Sequence, residues 1–249
     1  MGEYSHILGV KFNNITHIEA VGLVECFLDE NKCHTVFTPN PEIVMAARKD
    51  SDFMKILNEA DLVVPDGIGV VIASKFTKEK LKERVAGYDL VQGVFEKIKN
   101  KRYTVYFFGG APGVAEEAKA KMEALHKGIK IVGVHDGYFD ANQEKLIIED
   151  IKNKKPDILL VGLGAPKQEK WIYEHKDELP VKVCIGVGGS FDGMSGKVKR
   201  APKLFIKLGL EWFYRLLRQP SRFFRMLKLP LFLLVVIKEK LFGRQKWLS

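Results

Sequence analysis

The sequence predicts an α/β chain, a doubly wound, mostly parallel sheet that carries a basic, helical C-terminal appendage. Three observations lead there. Between Tyr103 and Gly193, four strand-like runs alternate with helical runs, and every strand empties into a glycine-rich loop. That is the pattern of right-handed crossovers in a parallel sheet. Upstream, Leu62 to Ser74 (LVVPDGIGVVIAS) reads as a strand end, a sharp glycine turn and an apolar helix. Asp66 then sits at the carboxyl end of a strand, where open α/β sheets bind ligands. The charge is also divided. Residues 194–249 hold 14 Lys+Arg against 2 Asp+Glu, a net of +12, and the other 193 residues hold 26 against 29, a net of −3.

At 249 residues, 46% hydrophobic and 29% charged, the composition is that of a folded domain with an appendage and excludes a disordered chain. The expected division is a body over 1–193 and the appendage over 194–249. Within the body, a first half covers about 1–100 and a second, carrying the four strands with glycine-rich loops, about 101–193. Cys26, Cys33 and Cys184 have no metal-ligand spacing and their odd number argues against a disulfide framework, which suits a reducing cytosol. The opening MGEYSHILGVKF has no apolar core of a secretory leader, so none is expected. A +12 tail on a mildly acidic body points to an anionic partner, nucleic acid or a membrane surface.

In chain order, His6 to Val10 reads as a strand and Asn13-Asn14 as a turn. Thr16 caps a helix from His17 to about Glu30. Val36 to Thr38 ends a second strand. Asn40 then N-caps a helix with Pro41 at its first position. Asp50-Ser51-Asp52 matches the Asp-x-Asp pattern of metal-holding transferases, but it lies between two helical runs with Ser51 as a cap, and no metal role is expected. Lys75 to Arg84 alternates Lys and Glu and reads as a solvated helix, with Arg84 the member that turns inward. The later strands are Tyr103–Phe108, Ile129–Val134, Ile158–Val161 and Val183–Val187, with helices from Gly113 to about His126, from Asn142 to Asn153 and through Trp171 and His175.

The loops after those strands begin at Gly109-Gly110, His135-Asp136-Gly137-Tyr138, Gly162-Leu163-Gly164 and Gly188-Gly189. None has the dinucleotide spacing G-x-G-x-x-G, and no G-x-x-x-x-G-K-[ST] run occurs. Their backbone amides still suit phosphate, and four on one rim make a nucleotide-sized cleft. Gln168, directly behind Gly164, offers donor and acceptor together. Covalent acyl chemistry is disfavoured, because there is no G-x-S-x-G and Cys184 lies in an apolar strand. For Asp66 two readings stand. It caps the helix that follows, or it is a carboxylate held at a pocket mouth as a general base.

In the tail, Gly193 to Pro202 resembles a linker. Beyond it large apolar residues recur at helical spacing, and Arg215, Arg218, Arg222 and Arg225 follow at steps of 3, 4 and 3, with Pro220 breaking the helix. Leu229 to Ile237 is far shorter than the roughly 20 residues of a spanning helix. Basic amphipathic helices rich in Trp and Phe fit an interfacial membrane anchor better than a nucleic-acid arm, and packing of the basic helices on their own acidic body is the other reading.

Together these stretches resemble one family. Thr38-Pro39-Asn40-Pro41, Pro65-Asp66-Gly67-Ile68-Gly69, Asp136-Gly137-Tyr138-Phe139, Val161-Gly162-Leu163-Gly164 with Pro166-Lys167-Gln168-Glu169, Gly188-Gly189-Ser190-Phe191-Asp192, Lys199-Arg200-Ala201-Pro202 and Gly209-Leu210-Glu211-Trp212 with Tyr214-Arg215 are similar to the motifs of the WecG/TagA/CpsF glycosyltransferases, nearest the TagA-like branch. The resemblance implies a Rossmann-like fold and an inverting, metal-independent enzyme without cofactor, peripheral on the cytoplasmic face of the membrane. TagA-like members move N-acetylmannosamine from its UDP derivative to undecaprenyl-diphosphate-linked N-acetylglucosamine, which forms the teichoic acid linkage unit. Relatives use UDP-N-acetylmannosaminuronate or UDP-glucose. The resemblance turns Asp66 toward the general base, with Thr38, Asn40 and Arg84 as its catalytic company. Substrate would be held by Gly110, Asp136, Gly137, Tyr138, Gly164, Lys167, Gln168, Gly189 and Asp192, and the lipid diphosphate by Arg215, Arg222 and Arg225. An anionic membrane surface is the expected partner and nucleic acid is not; a homo-oligomer is left open.

Overall fold

A computed structural model describes residues 3–198, 200–207, 210–218 and 228–242, without the side chains of Lys203, Lys207, Arg215 and Arg218. Its centre is a six-stranded, wholly parallel sheet in the order β4-β3-β8-β7-β5-β6. The strands are β3 (His34–Phe37), β4 (Leu62–Val63), β5 (Thr104–Gly109), β6 (Lys130–His135), β7 (Ile158–Gly162) and β8 (Val183–Gly186). Alternate residues of each strand feed two cores. Val36, Phe107, Leu160 and Ile185 enter one, and Phe37, Phe108, Val161 and Cys184 the other. The first core is closed by α1 (His17–Phe27), α5 (Gly87–Ile98), α6 (Val114–Leu125) and α9 (Ser190–Met194). The second is closed by α2 (Pro41–Ala47), α3 (Ser51–Asn58), α4 (Ile68–Ser74), α7 (Ala141–Lys154) and α8 (Lys167–His175). Helices on both faces make the sheet doubly wound. The chain leaves β5 over one face and β7 over the other, so strand order reverses between them, the place where such sheets open a crevice.

Caps set several elements. Thr16 and Glu19 form a reciprocal capping box at α1, a device worth about 1 kcal/mol. Asn40 caps α2 through Ile43 N, with Pro41 at the first position. At α3 the cap is Asp50, whose Oδ1 accepts from Phe53 N at 3.0 Å, in place of the expected Ser51.

Other expectations need correction. The N-terminal strand is a hairpin of β1 (Tyr4–Ile7) and β2 (Val10–Asn13), turning at Leu8 and Gly9, both of positive φ. Asn13-Asn14 is therefore no turn. Asn13 Oδ1 accepts Val63 N at 2.9 Å on edge strand β4, and Asn14 holds Lys80 O and Lys82 N at 2.9 and 2.8 Å. Those bonds explain why Lys75 to Arg84 is irregular and not a helix: Asn14, Ser5 and Ser74 satisfy its backbone from outside. Helix α5 was not anticipated, and the short α9 starts inside Gly188–Gly193 and runs on to Met194.

The tail forms α10 (Lys203–Lys207), α11 (Glu211–Arg218) and α12 (Lys228–Phe242). Helix α12 packs on α2 and α4, and its Phe232 and Val236 are buried in the second core. The approach is close. A Cβ on Gly69 would stand 2.3 Å from Leu229 Cδ1 and 2.9 Å from Pro41 Cγ. Among the described residues no helix is long and apolar enough to cross a membrane.

Candidate active site

Because all six strands are parallel, their carboxyl ends share one rim, and nearly every predicted site residue of the body lies on or beside it. On the β3–β4 side, Asp66 N donates to Pro39 O at 3.1 Å, which draws the Asp66 corner against the Thr38–Asn40 loop. Gly67, with φ of +90°, occupies the N-cap position of α4, so Asp66 is not its N-cap residue. Thr38 Oγ1 would lie 2.8 Å from a Cβ on Gly87, so the missing side chain there makes room for Thr38. Val85 N donates to Pro65 O at 2.9 Å and brings the Arg84 segment alongside. The Thr38–Asn40 loop, the Asp66 corner and the Arg84 segment are thus held side by side at one end of the sheet.

Arg84 turns inward as expected, but onto carboxylates. Its Nη2 lies 3.0 Å from Glu211 Oε2 and 3.8 Å from Asp89 Oδ2, with the Arg84 and Glu211 side chains only 15% and 11% exposed. Asp89 also holds Arg200, whose guanidinium lies over the Tyr88 ring at 4.8 Å. Glu211 begins α11, so this cluster ties the tail to the body at the rim. The tail has two acidic residues, and the other, Glu239 of α12, bonds Arg48 at 2.8 Å. Both tail carboxylates are therefore spent on arginines of the body.

On the other side the loops are laced by main-chain bonds. Gly137 N donates to Gly110 O at 2.8 Å, Gly110 N to Gly162 O at 3.1 Å, and Val187 N to Val161 O at 2.8 Å. Asp136 Oδ1 accepts Tyr138 N at 2.8 Å and leaves the Tyr138 ring 70% exposed at the rim. Lys167 is exposed, with Nζ 4.1 Å from the centre of the Phe139 ring. Gly164 and Gly189 flank the starts of α8 and α9, and Asp192 lies half-buried in α9. Gln168 is 3% exposed, with Oε1 accepting Gly188 N at 2.9 Å and Nε2 donating to Glu169. Arg215 lies in α11 with its side chain outside the description, and Arg222 and Arg225 lie outside the described residues.

The motifs and this geometry agree with direct comparison. The model of the glycosyl transferase WecG/TagA/CpsF family matches residues 5–246. The chain belongs to that family. A Bacillus subtilis (strain 168) protein is 40% identical over 86% of this chain and 83% of its own length. A Bacillus spizizenii relative is 39% identical over 91% and 85%, and one from Staphylococcus aureus (strain MRSA252) 35% over 94% and 92%. All three are named N-acetylglucosaminyldiphosphoundecaprenol N-acetyl-beta-D-mannosaminyltransferase.

Set against the family motifs, the structure adds groups that the sequence reading assigned no part. Glu169 is buried with its carboxyl pushed up by that burial. Asp89 and Glu211 neutralise Arg84, and the signal that could have flagged Glu211 is its rarity as an acid in a basic tail. A cavity of about 540 Å³ opens between α1 and α5, lined by His17, Glu83, Arg84, Asp89, Gln92 and His126 among others. Of the predicted site residues only Arg84 lines it, so its place is beside the rim and not on it. Asp50, the first carboxylate of the Asp-x-Asp pattern, is spent on Phe53 N and on Lys170 at 2.8 Å. Cys26, Cys33 and Cys184 are free thiols, with the last two 3.6 Å apart near the start of β3 and β8.

Proposed function

We propose that this chain moves N-acetylmannosamine, with inversion, from UDP-N-acetylmannosamine to the 4-hydroxyl of undecaprenyl-diphosphate-linked N-acetylglucosamine. The observation that carries it is whole-length likeness to transferases of that name, together with a carboxylate at the strand-end rim. An acceptor hydroxyl is a weak nucleophile. Asp66 takes its proton as the oxygen attacks the anomeric carbon and UDP departs as the anion. Thr38 and Asn40 position hydroxyls; Asn40 keeps its Nδ2 donors for this while Oδ1 caps α2. Arg84 faces a diphosphate, its charge tempered by Glu211 and Asp89.

Negative charge on the leaving UDP is met by Lys167 and by the loop amides around Gly110, Gly164 and Gly189. Asp136, Gly137, Tyr138 and Asp192 surround uridine and ribose, while Gln168, expected to meet substrate, is instead buried with both ends of its amide engaged and supports the Gly188 loop from behind. Arg215, Arg222 and Arg225 of the 194–249 appendage grip the lipid diphosphate, since a guanidinium fork matches phosphate oxygens. The enzyme works peripherally on the inner face of the membrane. Support for this comes from exposed Leu231, Leu234, Leu241 and Phe242 on α12, set among Lys228, Lys238 and Lys240. The test is turnover of a panel of UDP-sugars with one lipid-linked acceptor. UDP-N-acetylmannosamine should lead; preference for UDP-N-acetylmannosaminuronate or UDP-glucose would reassign the donor, and no transfer from any would overturn the reading.

A further inference from the structure

Glu169 stands in the first turn of α8 and is 1% exposed, a degree of burial that carboxylates almost never reach without a partner of opposite charge. Its Oε1 accepts from Gln168 Nε2 at 2.8 Å, and its Oε2 has no hydrogen-bond partner among the described residues. Of the charged groups on the elements packed against α8, Asp52 and Lys55 of α3 are exposed and the others are engaged elsewhere. Asp50, at the cap of α3, holds Lys170, and Glu59, at the other end of α3, holds Tyr173. His34 of β3 lies between Glu30 and Asp61, and β7 and β8 carry no charged residue. What Glu169 does touch is a relay. Gln168 passes from Glu169 to the Gly188 N–H, and Gly188, with φ of +51°, opens the loop after β8. The Gly188 carbonyl oxygen in turn lies over Gly162 at the end of β7, 2.9 Å from where a Cβ there would be.

A glutamine amide has a donating end and an accepting end, and it can be turned either way. Gly188 N–H needs the accepting end. The amide presents that end only while its other end has an acceptor to face, and Glu169 Oε1 is that acceptor. We propose that Glu169 is a positioning residue: its carboxyl fixes which way the Gln168 amide points, and through that amide it holds the Gly188–Gly189 loop at its place on the rim. Burial favours the neutral acid, and the neutral acid suits the relay. Oε1 accepts with a proton on Oε2 as it does without one, so the relay holds in either form. The role adds to the transferase reading and rests on it only where activity is measured.

Two measurements test it on the full-length protein: hydrogen exchange of the Gly188 amide by NMR, and transfer from UDP-N-acetylmannosamine to lipid-linked acceptor. Glu169→Gln keeps an acceptor at the same place and should stay within about threefold of wild type in both. Glu169→Leu keeps bulk but no acceptor. It should speed Gly188 exchange and lower kcat/KM by about tenfold or more, as Gln168→Ala should, and the double variant should be no worse than Gln168→Ala alone. Wild-type behaviour of Glu169→Leu, equal impairment of the Gln and Leu variants, or additive losses in the double variant would overturn the proposal. Should Glu169→Leu not fold, Glu169→Asp withdraws the carboxyl by one methylene, and unchanged Gly188 exchange in it would overturn the proposal equally. Wild-type protein that transfers no sugar would count against the transferase reading alone, because the exchange arm does not depend on it.

Discussion

Phe232 is a fully buried side chain of α12 that enters the same core as Phe37 and Phe108 of the central sheet. Phe232→Ala therefore tests whether the tail helix is part of the fold. A buried Phe removes about 150–250 Å² from water, which at about 25 cal/mol per Å² is about 4–6 kcal/mol. Alanine recovers some of that area, and the cavity it leaves does not collapse fully, so a loss of about 3–5 kcal/mol is expected. That is a large part of the about 5–15 kcal/mol that holds a domain together. In a chain of this size each kcal/mol shifts Tm by about 2–4 °C, so the melt should move down by about 6–20 °C. The neighbouring Leu231 is 51% exposed on the same helix, and Leu231→Ala should change stability by no more than about 0.5 kcal/mol. Urea unfolding and thermal melts of the three proteins supply the comparison. If Phe232→Ala melts with wild type and Leu231→Ala, α12 detaches before the body unfolds, and a shared core is refuted.

Asp66→Asn should keep UDP binding by calorimetry but lose about 10²–10⁴-fold in turnover; near-normal turnover would rule out the base. Activity should survive excess chelator, since Asp50 already serves Phe53 and Lys170; loss restored by manganese or magnesium would sink the metal-free mechanism. A double-mutant cycle of Arg84→Gln and Glu211→Gln should give a coupling of about 1–2 kcal/mol, between an exposed pair and a buried one. A value under about 0.3 kcal/mol would make it an ordinary surface contact. The fifth expectation concerns pH. Burial raises the Glu169 carboxyl above its ordinary 4.5, so the folded state keeps a proton that the unfolded chain has released. That contribution is complete below 4.5 and is lost as pH rises through the raised folded value. The Tm advantage of Glu169→Gln over wild type should thus grow from pH 4.5 upward, and a pH-independent difference would show that Glu169 titrates normally.

The sheet was legible from Tyr103 onward because β5, β7 and β8 are apolar runs buried on both faces and closed by glycines. The N-terminal hairpin was not, because Leu8-Gly9 lacks the Asn or Asp that announces a two-residue turn. Helix α5 has glycines at Gly87 and Gly93 and no side-chain cap, so its periodicity was diluted. The Lys75–Arg84 stretch was over-read, since Lys-Glu alternation without an apolar stripe says nothing about where the backbone bonds go. At the rim, Thr38, Asn40 and Asp66 could be found because turn residues and caps mark strand ends. Glu211 could not be paired from sequence, its partner Arg84 lying 127 residues away. Glu169 was quoted only as part of a motif; its burial depends on β3, β7 and β8 closing around α8.

The lacing of the loops has one more effect. Gly137 to Gly110 to Gly162 is a run of peptide-to-peptide bonds, in which side chains take no part. The outline of the rim is therefore insulated from the identity of residues such as Ala111, Tyr138 and Lys167, which stand exposed along it. Each can be exchanged without reshaping its neighbours. A scaffold of that kind lets the chemistry lining a pocket drift while its walls stay put, and a family could thereby pass from one sugar nucleotide to another by a few surface replacements and no change of fold.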